Sequence, residues 1–393
     1  MDLIALAATL LGLAKISKWL MGSVLTAPML AILAGLGTAV AGVAPAHLGE
    51  DDLHLLAEGA LVLLLFIDAS RIAPEGLKAS SAWAARMLLI GLPLAFGLGL
   101  AAAWLTLPGW SLAAMALLAA VLTPTDAALG KSVIEDPNLD DRVRRSAVIE
   151  SGLNDGLALP LVLLAAAMIA GDTARGAADW ATFAVTQIAL GAVIGAIPGY
   201  LAARMHLWFH HRDLDSRATE GIGVVALAAM TYVAADMLGG NGFIAAFVGG
   251  AAFGIAVKGK CEYIFVFPER EGEALSWLSF FLIGFLVLPV ALPEIGWREA
   301  AFLGLSLAVV RPLAIWLSLA GSSATPSQRL FFGWFGPRGL ATAIFAIIAA
   351  DRVGAEAGDR VLHLAAVAIL ASAVAHGISA GALRRWRQTG QKS

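Results

Sequence analysis

Apolar residues occupy most of this chain, gathered in windows of about twenty with short charged or turn-forming runs between them. A window of that length is what an α-helix needs to cross the hydrocarbon of a bilayer. Thirteen are readable, at 3–20, 23–43, 53–72, 83–106, 110–133, 144–170, 180–203, 218–238, 241–257, 274–293, 299–320, 328–350 and 359–382. The first holds Lys15 and Lys18, whose ammonium groups must snorkel to an interface. No stretch alternates apolar and polar residues as a half-buried strand does. The links are short, and none suggests an appended domain. The pattern predicts an all-α polytopic membrane protein with one transmembrane domain over 1–393.

Thirteen spans suggest two inverted six-helix repeats, at about 1–173 and 215–385, with 180–203 as a linker span. Span 5 then corresponds to span 12, and span 6 to span 13. Spans 5 and 12 are the most interrupted in their interiors. Span 5 contains Leu122-Thr123-Pro124-Thr125-Asp126, and span 12 contains Gly333-Trp334-Phe335-Gly336-Pro337-Arg338-Gly339. Breaks in corresponding spans of two halves point to a transport site near the bilayer midplane. Irregular backbone survives at that depth only where protein buries it or a watery cavity lines it.

Span 6 carries the densest polar group, in Ala147-Val148-Ile149-Glu150-Ser151-Gly152-Leu153-Asn154-Asp155-Gly156. Each ionisable group at mid-bilayer depth costs about 2.5–3.5 kcal/mol on insertion scales, which marks such groups as functional candidates. Residues four apart share a helix face. Glu150 and Asn154 make one stripe, Ser151 and Asp155 the next, and Gly152 with Gly156 a third that another backbone can approach. The bland alternative is a helix start whose acids sit in the interface beside Arg142–Arg145. Asp68 in span 3 is either a site acid or a partner of Arg71. Glu58 lies nearer the outer interface, and Asp236 marks a helix end. Arg311, before Pro312 in span 11, and Arg338 are buried cations that need carboxylates. Asp126, Glu150, Asp155 and Asp68 are the available partners.

Composition sharpens this picture. The chain is 59% hydrophobic and 14% charged, with mean hydropathy +0.82. That excludes an ordinary soluble domain. Net charge is −3, which gives no footing for nucleic acid. One cysteine, Cys261, rules out an intrachain disulfide and any cysteine metal cluster. The Met1-Asp2 start has no basic leader region, so the first span is expected to be retained. With the N-terminus outside, twenty of the 26 Lys and Arg residues fall in cytoplasmic links and four in external ones. The positive-inside rule then predicts N-terminus out, C-terminus in.

These motifs carry a resemblance. Glu150-Ser151-Gly152-Leu153-Asn154-Asp155-Gly156 resembles the E-S-x-x-N-D-G signature of sodium/proton antiporters. Thr123-Pro124-Thr125-Asp126 is similar to their T-D-P break, and 333–339 to their G-W-x-G-x-R-G segment. The branch is that of the bacterial NhaP and animal NHE exchangers within the cation:proton antiporter superfamily, and the match runs along essentially the whole chain. Two positions depart: Ala127 follows Asp126 where the family has proline, and Asp68 stands where many relatives carry glutamate.

The resemblance implies that Asp155 alternately binds cation and proton. Ser151, the backbone around Thr125 and, through water, Asp68 would complete the cation's oxygen shell. Glu150 and Asn154 would pair with Arg338, Asp126 would balance the half-helix dipoles at the crossing, and Arg311 matches a conserved base before the second break. It also implies a homodimer in the plasma (inner) membrane. Alkali cations are hard ions that take oxygen donors. The species handled are then a monovalent cation (Na+ or Li+, or else K+) and a proton, with neither enzyme chemistry nor a cofactor. With Asn154 holding no charge, one carboxylate carries one proton or one cation, and exchange is electroneutral. A symporter, a cation channel and an intramembrane aspartyl hydrolase using Asp126 and Asp155 are the other readings. The channel lacks a filter loop or charged ring, and the hydrolase leaves Arg338 and Asn154 without a task.

Overall fold

Local sequence signals set where the helices begin. The computed structural model describes residues 1–20, 25–72, 77–126, 139–170, 176–212, 220–257 and 262–390. Cys261, Ala127 and the end of the fifth window lie outside them. Helix α1 spans Asp2–Leu20 and α2 Ala27–Val40. Helix α3, Glu50–Ser70, starts with three acids, Glu50, Asp51 and Asp52, which suit the positive helix N-terminus. Ser111 caps α5 (Leu112–Val121) by accepting from the Ala114 N–H at 3.1 Å. Asp140 caps α6 (Asp141–Ile169) through the Arg142 and Val143 N–H groups at 2.8 and 3.2 Å. The long α7 (Ala177–His210), α8 (Glu220–Met237) and α9 (Gly242–Val257) follow.

Three helices change pitch midway. Helix α4 runs Leu77–Arg86, makes a π turn at Met87–Gly91 and continues as Leu92–Thr106. Helix α10 runs Val266–Leu282, turns at Ile283–Val287 and ends as Leu288–Glu294. Helix α11 runs Trp297–Leu305, turns at Ser306–Val310 and resumes as Arg311–Ser318. Pro93, Pro289 and Pro312 each stand at the second residue after the π turn. Proline has no N–H and crowds the carbonyl one turn back, and the widened turn relieves that crowding. The twelfth span is split into α12 (Pro326–Trp334) and α13 (Leu340–Val353), and α14 covers Ala355–Gly390.

The helices follow the apolar windows in order, and no strand occurs among the described residues. Among the described residues eight helices are long and apolar enough to cross a membrane, and α2, α5 and α9 are shorter apolar helices. Several outrun their windows: α10 starts at Val266 and α14 reaches Gly390. Helix-forming polar residues extend the hydrogen-bond ladder past the hydrocarbon, where hydropathy stops reporting it.

Small residues set the closest packing. Gly191, Gly195 and Gly199 of α7 lie against the backbone of Asn241, Ala245 and Gly249, with no room for a side chain. Gly250 and Gly254 bring the opposite side of α9 onto the Phe66 and Ser70 carbonyls of α3. In a bilayer such close backbone approach replaces the missing hydrophobic drive. Helix α9 also packs on α6, and Phe243 meets Phe345 of α13 edge-on at 6.1 Å. The short α9 therefore joins α3, α6, α7 and α13 around one buried region.

Candidate functional site

The two interruptions cross. The Asp126 N–H donates to the Pro337 carbonyl at 2.8 Å. The Asp126 carboxylate accepts from the Leu340 N–H at 2.7 Å, at the first residue of α13. A helix N-terminus presents unpaired N–H groups and partial positive charge, so a carboxylate is the natural cap. Arg338 does the converse. Its Nη1 donates to the carbonyls of Thr123 and Pro124 at 3.3 and 3.1 Å, just past the C-terminal end of α5, where charge is partly negative. Gly339 leaves space for the Asp126 carboxylate and Gly336 for the Arg311 guanidinium; a Cβ at either would collide. Asp126 is 4% exposed and Arg338 1%.

Helix α6 passes beside this crossing. Ser151 Oγ donates to the Thr125 carbonyl at 2.8 Å. Asn154 Nδ2 donates to Thr125 Oγ1 at 2.7 Å and to Glu150 Oε1 at 3.3 Å. Glu150 takes both Nη groups of Arg311, at 3.3 and 3.2 Å, in a bidentate ion pair. Asp155 is 1% exposed, and its Oδ1 has no hydrogen-bond donor. Asn154 Oδ1 and Thr342 Oγ1, on α13, are likewise buried oxygens without a partner. Asp155 also lies within electrostatic range of Asp126 and Glu150.

The sequence-predicted residues Thr125, Asp126, Glu150, Ser151, Asn154, Arg311 and Arg338 are thus joined through contacts of the two breaks, α6 and α11. Two pairings differ from expectation, and the first is that Asn154 bonds Thr125 and Glu150 in place of Arg338. Glu150 bonds Arg311, not Arg338, because Arg311 leaves the π turn of α11 facing α6 while Arg338 is drawn to the α5 carbonyls. Asp68 is partly buried on α3, which packs against α6, α9, α10 and α13. Its neighbour Arg71 forms a bidentate pair with Glu269, at 3.0 and 2.7 Å. Glu58 accepts from the Tyr232 hydroxyl, and Asp236 is exposed at the end of α8.

Sequence reasoning missed a support behind the second break. The Arg338 N–H donates to Ser372 Oγ at 2.8 Å. His376 Nδ1 lies 3.1 Å from that hydroxyl, and its Nε2 lies 2.7 Å from the Trp334 carbonyl at the end of α12. Nδ1 also lies 2.7 Å from the Ser372 carbonyl, so the imidazole bridges the backbone of α14 to that of α12. The available signal was a serine and a histidine four apart on an apolar helix. The other missed residue is Asn241, whose Nδ2 donates to the Gly156 carbonyl at 2.9 Å.

A multi-pass helical bundle with two interrupted helices crossing beside buried carboxylates has the construction of a secondary transporter. Comparison with known proteins agrees. The family model for the transmembrane sodium/hydrogen exchanger matches residues 4–386, and the chain belongs to that family. It is 31% identical over 339 residues to the K(+)/H(+) antiporter NhaP of Alkalimonas amylolytica, covering 84% of this chain and 57% of that protein. It is 27% identical over 374 residues to the K(+)/H(+) antiporter NhaP2 of Shewanella oneidensis, covering 91% and 62%. The chain therefore spans about three fifths of the length of these curated relatives. The structure of the sodium proton antiporter MjNhaP1 from Methanocaldococcus jannaschii superposes with TM-score 0.78 at 18% identity, covering 96% of this chain and 98% of that one, a likeness of fold.

Proposed function

We propose that this chain exchanges a monovalent cation for a proton, electroneutrally, with Asp155 as the carboxylate that the two share. One observation carries the reading. The buried cluster holds three carboxylates, Asp126, Glu150 and Asp155, and two guanidiniums, Arg311 and Arg338. Glu150 is neutralised by Arg311, while Asp126 and Arg338 each sit on the other break. The uncompensated charge is one, and it falls on Asp155, whose Oδ1 has no donor. One proton or one monovalent cation makes the cluster neutral; an empty cluster keeps a bare charge in low dielectric, which opposes its crossing. That asymmetry produces obligatory exchange. Ser151 and Thr125 supply oxygens for the cation, and Asp68 contributes through water.

The same reading takes the helices as thirteen crossings in two inverted six-helix repeats joined by α7. Helices α4 and α11 support it: each carries a π turn before an X-Pro step and precedes a broken helix. The Lys and Arg asymmetry supports an N-terminus outside and a C-terminus in the cytoplasm. The plasma-membrane location and homodimer rest on the family resemblance. An aspartyl hydrolase would need Asp126 for its substrate, yet that carboxylate caps α13.

The test is cation-driven proton release from proteoliposomes across a panel of Na+, Li+ and K+, because the matched relatives are named for potassium and the fold neighbour for sodium. Clamping the vesicles at different valinomycin potentials, with Na+ or Li+ as substrate, reads the stoichiometry. A net charge crossing couples at about 2.3 kcal/mol per 100 mV, whereas electroneutral exchange equilibria stay fixed. Equilibria that shift with potential overturn the one-carboxylate account.

A further inference from the structure

Helix α6 contains Pro160. Proline brings no N–H, so the carbonyl four residues earlier, on Gly156, loses its helical partner. Gly156 directly follows Asp155, and both are buried. A bare carbonyl there would let the helix open beside Asp155 Oδ1, which has no donor. The carbonyl is not bare: Asn241 Nδ2 fills the vacancy at 2.9 Å.

Asn241 is held at two further points. Its Oδ1 accepts from the Ile244 N–H at 3.1 Å, capping α9, and its own N–H donates to the Gln187 carbonyl of α7 at 2.9 Å. The residue is 1% exposed. Gly156 presents no Cβ, and only so can Ile244 and the Asn241 amide approach the α6 backbone. The donor that α6 lacks thus comes from an anchored side chain at the cap of another helix.

We propose that Asn241 is a positioning residue for exchange: its amide replaces the hydrogen bond that Pro160 removes and fixes the α6 backbone that aims Asp155. This rests on Asp155 being the exchange carboxylate. The role is specific because a backbone N–H at position 160 would do the same work.

That equivalence supplies the test, in proteoliposomes of the full chain with proton release driven by Na+, Li+ or K+. Asn241→Ala raises the half-saturating cation concentration about tenfold, the scale of one buried hydrogen bond. Asn241→Ser keeps the α9 cap, because serine is a good N-cap, but cannot reach Gly156, so it shows the same rise with a smaller fall in melting temperature than Asn241→Ala. Adding Pro160→Ala to Asn241→Ala restores the missing N–H and returns the half-saturating concentration to within about threefold of Pro160→Ala alone. Parental affinity in Asn241→Ser, or a double variant no better than Asn241→Ala, overturns the proposal. Asp155→Asn is assayed alongside: exchange surviving there defeats the Asp155 reading itself, a different failure from that of Asn241.

Discussion

The two breaks look alike in sequence, each a proline beside a charged residue in an apolar span, yet they are satisfied in opposite ways. The first ends α5 and leaves carbonyls, which a cation from the second break covers. The second opens α13 and leaves N–H groups, one of which a carboxylate from the first break accepts. Each break carries the charge that the other's helix end needs. A lone interruption would bury unpaired peptide groups; two crossing interruptions cap one another. Asp155 sits outside this exchange of caps, and so does Glu150, which has Arg311. What separates the site acid from the structural acids is the absence of a committed donor on its Oδ1.

The largest test of that separation is Asp155→Asn. It removes the uncommitted charge and leaves every cap in place, so the variant folds and cation-driven proton release is lost in proteoliposomes. Next is Arg311→Ala, which strands Glu150 as a buried unpaired carboxylate. Breaking such a pair costs about 3–5 kcal/mol, read as a fall in melting temperature in detergent. Glu150→Gln placed on that background recovers much of the loss. Arg338→Ala is smaller, about 2–3 kcal/mol, because it uncovers two carbonyls and no carboxylate. A larger drop for Arg338→Ala than for Arg311→Ala would reverse the pairing described above. Smallest is Asp126→Asn, which still accepts from the Leu340 N–H but forgoes charge at the α13 N-terminus, about 1 kcal/mol. If Asp126→Asn abolishes exchange as completely as Asp155→Asn, Asp126 is a site carboxylate as well as a cap.

Much of this was legible in the chain. Hydropathy alone orders the helices, because the bilayer demands long apolar windows and a self-satisfied backbone. Pro124 marks the first break, and Pro337 with Gly333, Gly336 and Gly339 the second, since proline and glycine disfavour a continuing helix. The four-residue spacing from Glu150 to Asn154 and from Ser151 to Asp155 puts the polar groups of α6 on adjacent stripes. The need of buried arginines for partners is equally a property of the residues, as charge at that depth cannot stand alone.

Which partner each arginine takes was decided in three dimensions. Glu150 binds Arg311 and not Arg338 because the π turn of α11 aims one guanidinium at α6 while α5's end captures the other. Asn241, Ser372 and His376 carry no motif, since their value lies in donors and acceptors delivered across helices far apart in sequence. The uncommitted Oδ1 of Asp155 follows from the same cause. Sequence fixes which groups must be satisfied; hydrogen bonds are short and directional, so only the packed helices settle which group satisfies which, and which oxygen is left for an ion.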